Sequence, residues 1–264
     1  MAEDAPRRVP FRGGGFAPRL RHAVGAATLL GLVVLWSLAA RRGWVSPIAL
    51  PAPEEVAAAL ARLARSGELV RHLEASVTRL VAGFVLGASA GIAVGLAIGL
   101  VSLARSAGVP LIAALFPIPK IALLPLFIIW FGIGEASKIA TIAFGAFFPV
   151  AIATYSGVDG VDRSLIRMAQ SFGLPVASIV RKIVLPGALP AILSGLRIAA
   201  SIAIILIVAA EMIGANDGIG AFILSAGNLM QTDQLVAGVL VLSLIGLAVA
   251  GLIGMAERYL LRWR

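Results

Sequence analysis

The chain has 264 residues, of which 60% are hydrophobic and only 13% charged, and its formal net charge is +9. A soluble domain of this length needs more charge on its surface, so the composition excludes that class and indicates an integral membrane protein. The absence of cysteine excludes thiol catalysis, disulfides and thiolate metal sites, and with only two widely separated histidines, His22 and His72, we expect no metal site.

Apolar runs of about 20 residues, long enough to cross a hydrocarbon core about 30 Å thick, recur along the chain. The period-two alternation of a membrane barrel is missing from them, so they predict an all-α, polytopic protein with about six transmembrane helices. The predicted spans run over about Ala23–Ala40, Ser76–Leu103, Leu111–Phe131, Ile139–Tyr155, Ala191–Ile213 and Leu235–Met255.

The spans divide the chain into a cytoplasmic basic tail at residues 1–22, a first span with an external linker at 23–75, a transmembrane domain at 76–257 and a cytoplasmic tail at 258–264. The linker contains a predicted surface helix, Glu54–Arg65, which Pro51 and Pro53 open. Most Lys and Arg residues fall on the cytoplasmic side when the amino terminus is inside, which favours that orientation. They form no basic stripe with interleaved aromatic residues, so we expect membrane lipid and no nucleic acid as a partner.

Five glycines follow one another at a spacing of four along the second predicted span. Residues four apart share one face of a helix, so this track predicts close helix packing, either inside the subunit or at a dimer seam. The same run contains a G-x-S-x-G pattern around Ser89, but no later span supplies a histidine base, which disfavours a serine hydrolase. The glycines of the track are Gly83, Gly87, Gly91, Gly95 and Gly99.

Prolines interrupt the third predicted span at Pro117, Pro119 and Pro125, and Lys120 lies among them. Prolines so closely spaced predict irregular helix. A membrane protein tolerates irregular helix only where other protein groups or a water-filled path satisfy the freed backbone groups.

Glu211 is the clearest intramembrane charge, near the predicted outer end of the fifth span. Such a group is a candidate for a translocation path or gate, and equally for a buried hydrogen-bond hub, although at this position it could also reach interfacial water. The following loop, Asn216–Gly220, predicts an external turn and then a re-entrant or surface helix up to Gly227, with an outer gate as the alternative.

A polar stretch, Asp159–Leu193, separates the fourth and fifth spans and lies in the cytoplasm in the favoured orientation. It predicts a short helix over Ser164–Phe172, ended by Gly173, and a second helix over Val176–Val184, ended by Leu185 and Pro186. Phe172 with Leu174 forms an apolar knob suited to the groove of a partner. The chain contains no P-loop, so transport driven by ATP would need a separate ATPase subunit.

The stretch RMAQSFGLPVASIVRKIVLPGALPAILSGLRIA resembles the EAA loop of binding-protein-dependent ABC importer permeases, including the glycine, IVLP and the following GLR. One branch, the nitrate, sulfonate, taurine and bicarbonate permeases, is similar over roughly residues 50–257. The matching stretches are LPAPEEV, HLEASVTRLVAGF, PLFIIWFGIGEASKI, AFFPV and AAEMIGANDGIG. One departure concerns the loop itself, because Arg167-Met168-Ala169 stands where the family has Glu-Ala-Ala.

The resemblance implies a permease subunit of an ATP-driven importer in the bacterial cytoplasmic (inner) membrane. Its solute would be an organosulfonate, nitrate or a similar small anion delivered by a periplasmic or extracellular binding protein. The implied assembly is a homodimer of permeases with two cytoplasmic ABC ATPase subunits, which would bind ATP and Mg, so no cofactor and no catalytic residue are expected in this chain. The residues implied in coupling to the ATPase are Arg163, Arg167, Met168, Ala169, Ser171, Phe172, Gly173 and Leu174.

The alternative function is a secondary transporter driven by an ion gradient. Such a transporter needs intramembrane carboxylates or inverted repeats. The sequence offers one candidate carboxylate, Glu211, and no convincing internal repeat.

Overall fold

A computed structural model describes residues 22–262, and this part of the chain contains helices and no strands. Five of its helices are long and apolar enough to cross a membrane, and a bent pair of shorter helices makes a sixth candidate, which confirms the predicted fold class. The predicted basic tail lies outside the described residues except for position 22. The α-helices are α1 His22–Arg41, α2 Pro53–Ser66, α3 Glu68–Leu100, α4 Ser102–Leu115, α5 Leu124–Phe131, α6 Glu135–Asp159, α7 Arg163–Ser171, α8 Val176–Ile179, α9 Leu185–Gly214, α10 Ile219–Asn228 and α11 Thr232–Leu260.

The described part of the chain divides into two compact units, one up to residue 55 and one from residue 56 on. In the first unit, the turn after α1 is fixed by a hydrogen bond from the Trp36 indole to the Pro51 carbonyl at 2.9 Å. The start of α2 is capped by Glu55, whose carboxylate accepts from the Ala52 backbone N–H at 2.9 Å, the second half of a capping box. This cap explains why α2 begins at Pro53, one residue before the predicted surface helix.

In the second unit, α6 lies between α3 and α9, and small residues allow both contacts. The glycine track of α3 faces α6 within the subunit. A Cβ atom at Gly91 would lie 2.7 Å from the Phe147 carbonyl oxygen, and one at Gly87 would overlap the backbone of Ala143. Backbone cannot yield as a side chain can, so the close approach of α3 and α6 requires glycine at these positions.

The third predicted span has different bounds in the structure. A helix, α4, follows α3 almost at once, and after residues 116–119 a short 3₁₀ turn, Lys120–Leu123, leads into α5. The two halves are bent by 91°. The bend falls at Pro117 and Pro119, which have no backbone N–H to donate. The prediction of one span over Leu111–Phe131 counted apolar residues only, so it missed most of the first half of the pair and the bend.

The predicted end of the second loop helix at Leu185 and Pro186 is wrong. The chain stays helical from Val176 to Gly214, through a π-helical turn at Val180–Val184. The Leu185 N–H donates to the Val180 carbonyl, so the hydrogen-bond ladder shifts by one residue just before Pro186. Pro186 has no N–H to donate. The π-turn shifts the hydrogen bonds just before it so that the helix continues past the proline.

Ion pairs mark the two ends of the second unit. At one end, Arg105 and Asp159 form two hydrogen bonds of 2.6 Å, and Arg197 pairs with Glu257. This end, which also carries α7, is called the loop end. The other end is called the hub end, after the buried charges Arg79 and Glu211 that lie there. The helices α3 and α6 begin at this end and α9 ends there, because the α4–α5 pair returns the chain to the side where α3 started.

Candidate functional site

The polar stretch at the loop end is built around α7. Asp162 caps this helix, since its carboxylate accepts from the Ser164 backbone N–H at 2.8 Å. Hydrogen bonding from the Ser164 side chain and then from its backbone lowers the pKa of the exposed Asp162 carboxyl below the ordinary aspartate value. The cap therefore remains ionised and in place at neutral pH.

Gly173 ends α7 in the left-handed conformation, with φ +69°. The Gly173 N–H donates to the Gln170 carbonyl at 2.9 Å, and the Leu174 N–H donates to the Ala169 carbonyl at 3.2 Å. These two bonds form a Schellman motif. The reversal turns Phe172 outward and sets the direction of the chain toward α8.

The predicted coupling residues divide into one buried and several exposed positions. Ala169 is 2% exposed and packs in a cluster with Val161 and Ile179, so it anchors α7 to the bundle and does not face outward. By contrast, Phe172 is 79% exposed and Val176 is 77% exposed. The other predicted coupling residues are also exposed: Arg163, Arg167, Met168, Ser171, Gly173 and Leu174.

These exposed side chains make one apolar surface with a basic border, here called the coupling surface. Leu165, Met168 and Phe172 share a face of α7 because they are spaced three and four apart. Val176 extends that surface beyond the Schellman turn and is absent from the predicted set. The preceding proline, Pro175, could have indicated Val176, because it starts α8 at that residue. The first residue of a helix has no helical neighbour on its amino-terminal side, so its side chain is easily exposed.

At the hub end, Glu211 is completely enclosed, with a side-chain exposure of 0%. Its carboxylate accepts from the Ser76 hydroxyl at 2.8 Å, from Arg79 Nη1 at 2.8 Å and from the Gly220 backbone N–H at 2.9 Å. Glu211 therefore does not reach interfacial water. The contacts are those of the hydrogen-bond hub, one of its two predicted roles.

Arg79 is the second member of this hub and is 5% exposed. Its guanidinium donates to both oxygens of Glu135, one of them at 2.7 Å, and to the Asp217 backbone carbonyl at 2.6 Å. Together with the bond to Glu211, these contacts use all three nitrogens of the guanidinium. One side chain thus joins α3, α6, α9 and the loop before α10.

The first three amides of the α10 region are all held by side chains of other helices. The Gly218 N–H donates to His72 Nδ1 at 3.1 Å, and the Ile219 N–H donates to the Ser76 hydroxyl at 2.8 Å, while Gly220 bonds Glu211. Free amides at a helix start need such partners when they are buried. The predicted loop helix is therefore fastened to α3 and α9 at its amino-terminal end.

An open cleft of about 520 Å³ lies beside the hub. Lys138, which is 3% exposed, borders it and donates to the Ile133 and Gly134 carbonyls at 3.2 and 3.0 Å. The remaining lining comes from Arg79, Glu135 and residues 212–217. The cleft has both signs of charge, so it carries no preference for anions or cations as a whole.

A scan of protein families matches residues 83–262 to the family described as binding-protein-dependent transport system inner membrane component. A protein of Escherichia coli (strain K12) that carries the name aliphatic sulfonates transport permease protein SsuC is 41% identical to the chain, over 89% of this chain and 89% of that protein. The taurine transport system permease protein TauC of the same organism is 39% identical, over 83% of this chain and 81% of that protein.

Among solved structures, the fold is similar to that of a chain in an inward-facing conformation of the MetNI methionine ABC transporter. The TM-score is 0.65 at 20% sequence identity, over 74% of this chain and 97% of that one. At this identity the likeness concerns the fold alone.

Proposed function

The chain belongs to the family of binding-protein-dependent transport system inner membrane components, and we propose that it conducts a small sulfonate or related oxyanion through a dimer of identical permeases. It is a permease subunit of an ATP-driven importer in the inner membrane. The family is one of transport and not of catalysis, and it implies an ATPase and a binding protein as partners. The observation that carries the substrate class is the similarity to sulfonate and taurine permeases over most of both chains.

The coupling surface is the proposed docking site for the ATPase, on the cytoplasmic side. Phe172 projects from a turn that the Schellman bonds hold rigid, and Ala169 ties that turn to the bundle core. A knob held in this way transmits a displacement of its partner to the transmembrane helices as a rigid body. ATP and Mg would be bound by that partner, since this sequence contains no P-loop.

The positive charge at position 167 restricts what the proposed partner can present. Arg167 is exposed next to Met168 on the coupling surface. A permease with arginine here calls for an acidic or neutral group at the matching place on its ATPase, because like charges across an interface repel.

The structure disfavours the ion-gradient alternative, because Glu211, the one candidate carboxylate that the sequence offers for it, is already fully engaged. A carrier of protons or Na⁺ has to bind and release the ion at an intramembrane acid during each cycle. Both oxygens of Glu211 already accept hydrogen bonds from Ser76, Arg79 and Gly220 in a fully enclosed position. Opening that network would release α10 as well.

The test is reconstitution of the chain with its ATPase and binding protein in vesicles, followed by uptake of labelled taurine, ethanesulfonate, nitrate and bicarbonate. We expect at least one sulfonate to accumulate only when ATP and the binding protein are both present. The matched control is the same complex with an ATPase that binds but cannot hydrolyse ATP. Uptake that persists in this control contradicts the ATP-driven mechanism, and uptake of none of the four anions contradicts the substrate class.

A further inference from the structure

Lys120 stands at the bend between α4 and α5. In the described part of the chain it is the one cation that is withdrawn from the surface and has no ion-pair partner. Among residues 22–262, only three lysines and arginines are withdrawn from the exposed surface: Arg79 and Lys138 are buried and Lys120 is half-buried. Arg79 pairs with Glu135 and Glu211, and Lys138 lies 3.9 Å from Glu135. No carboxylate of the described residues forms an ion pair with Lys120.

The ammonium of Lys120 lies at mid-depth in the membrane domain. It is 5.0 Å from the centre of the Phe148 ring. Phe148 is near the middle of α6, a helix of 25 residues, Glu135–Asp159. At a rise of 1.5 Å per residue, Phe148 is about 20 Å from the hub end of that helix and about 16 Å from its loop end. The charge therefore lies far from both ends of α6.

The protein around Lys120 stabilises the charge without a counter-ion. The ammonium donates to the Phe116 carbonyl at the end of α4 and lies 4.7 Å from the Phe116 ring centre. Contacts with aromatic faces attract a cation but do not neutralise it. Cations within a membrane domain are costly, so they usually pair with a carboxylate or mark the path of a substrate.

Capping of α4 alone does not require this charge. The carbonyl of Phe116 needs one hydrogen-bond donor, which a neutral glutamine would supply without the cost of a membrane-embedded cation. Lys120 has three donors, of which the Phe116 carbonyl takes one. Two donors and a charge without a counter-ion are thus left for a group that the described residues do not supply.

We propose that Lys120 is the contact for the anionic group of the substrate on its path through the membrane domain. The inference rests on the proposed function, because it requires the solute to be a sulfonate or another oxyanion. A sulfonate presents three acceptor oxygens and one negative charge, which match the two free donors and the charge of the ammonium. A single cation at a break between two helices also holds the anion weakly enough for release, as transport requires.

The charge and the hydrogen bond can be separated by substitution in the reconstituted complex. Lys120→Gln keeps a donor for the Phe116 carbonyl and removes the charge, and Lys120→Arg keeps both. The control is Arg258→Gln, which removes an exposed cation of α11. The readouts are ATP-dependent uptake of ethanesulfonate and, separately, the ATPase activity that the loaded binding protein stimulates.

We expect Lys120→Gln to lower uptake by about tenfold or more, because the anion would lose both the charge and a charge-assisted hydrogen bond at this position. Lys120→Arg and Arg258→Gln should retain most uptake, and all variants should retain stimulated ATPase activity. Normal uptake by Lys120→Gln overturns the inference and leaves the proposed function intact. Loss of uptake in both Lys120 variants together with loss of stimulated ATPase activity indicates a structural role and also overturns it.

A second measurement does not depend on activity. The chain has no cysteine, so Lys120→Cys introduces a single thiol. The sulfonate-bearing reagent 2-sulfonatoethyl methanethiosulfonate should modify that thiol in at least one nucleotide state of the complex, detected by the mass of this chain. Absence of modification in every state overturns the inference, because an anion on its path would then not reach position 120. If the wild-type complex carries no oxyanion at all, the proposed function fails first and the inference with it.

Discussion

Arg79 of α3 and Glu211 of α9 form an ion pair inside the hub end of the membrane domain, with Nη1 2.8 Å from Oε1. Neither side chain is more than 5% exposed. Arg79 also bonds the Asp217 carbonyl just before α10, and Glu211 accepts from the Gly220 N–H in the first turn of α10. Three separate parts of the chain thus meet at one pair of charges.

Glu211→Gln should lower the free energy of unfolding by about 3 kcal/mol, because it leaves the buried Arg79 without one of its counter-charges. The amide also has only one accepting atom, so its NH2 group meets either Arg79 Nη1 or the Gly220 N–H as a second donor. Adding Arg79→Met removes this conflict, so the double variant should be more stable than the sum of the single effects predicts, by about 1–3 kcal/mol. Unfolding in mixed micelles titrated with SDS measures all three variants. Additivity within about 0.5 kcal/mol would show that the two side chains do not act as a pair.

Gly87→Ala should disrupt the packing of α3 on α6, since its Cβ atom would overlap the backbone of Ala143. Overpacking of this kind costs about 1–3 kcal/mol, and here the obstacle is backbone. Gly251→Ala in α11 is the matched control, because nothing lies within 4 Å of its Cβ position. Alanine there should be neutral or stabilising, as it favours a helix over glycine by about 1 kcal/mol. The thermal midpoint of the purified protein checks both, and equal midpoints would contradict the close contact.

The sequence predicts which segments are helical better than where they begin. The start of α3 at Glu68 was missed because Arg71 and Glu74 look like a hydrophilic linker, whereas in the fold Arg71 pairs with Asp217 at 3.0 Å. That partner is far away in the sequence and only packing brings it near. A hydrophobicity count has no access to such a pairing, so it trims the polar ends of spans.

The candidate sites also differ in how far the sequence alone predicts them. The Schellman turn at Gly173 depends on neighbours within five residues, and the sequence predicts its position correctly. The glycine track predicts a close-packed face, but it does not say that α6 is the partner. For Glu211 the sequence left two roles open, because Ser76 and Arg79 are 135 and 132 positions away along the chain. Local patterns fix turns and faces, and tertiary packing decides which groups meet.

Phe172→Asp should detach the ATPase while the permease still inserts and folds, since Phe172 is 79% exposed and supports no core contact. A central aromatic residue of an interface is worth about 2 kcal/mol or more, so the Kd for the ATPase should rise about 30-fold. Tyr259→Asp, at an exposed aromatic residue of α11 outside the coupling surface, is the control. Co-purification and stimulated ATPase activity are the measurements. Unchanged binding in Phe172→Asp would place the docking site elsewhere.

Gly173→Pro should uncouple the loop without unfolding the membrane domain. Proline fixes φ near −65°, whereas position 173 has φ +69°, and it removes the N–H that donates to Gln170. Gly173→Ala keeps that N–H and pays only for the left-handed backbone, about 1–2 kcal/mol. Uptake should therefore fall strongly in the proline variant and mildly in the alanine variant, at equal membrane abundance. Equal uptake in the two variants would show that the turn geometry does not matter for coupling.

Asp162 should hold α7 in place over the whole neutral pH range. Its pKa is lowered in the folded protein by hydrogen bonding to Ser164, so the stabilisation is fully present above the unfolded aspartate pKa and is lost only as the pH falls through the lower folded value. The protection that this carboxylate gives the α7 amides against hydrogen exchange should consequently stay constant between about pH 6 and 8. Asp162→Ala should speed exchange across Arg163–Ser171, because the Ser164 N–H loses its acceptor. Asp162→Asn, which caps almost as well without a charge, should exchange like the wild type. Faster exchange in the asparagine variant would mean that charge, and not the capping bond, holds the helix.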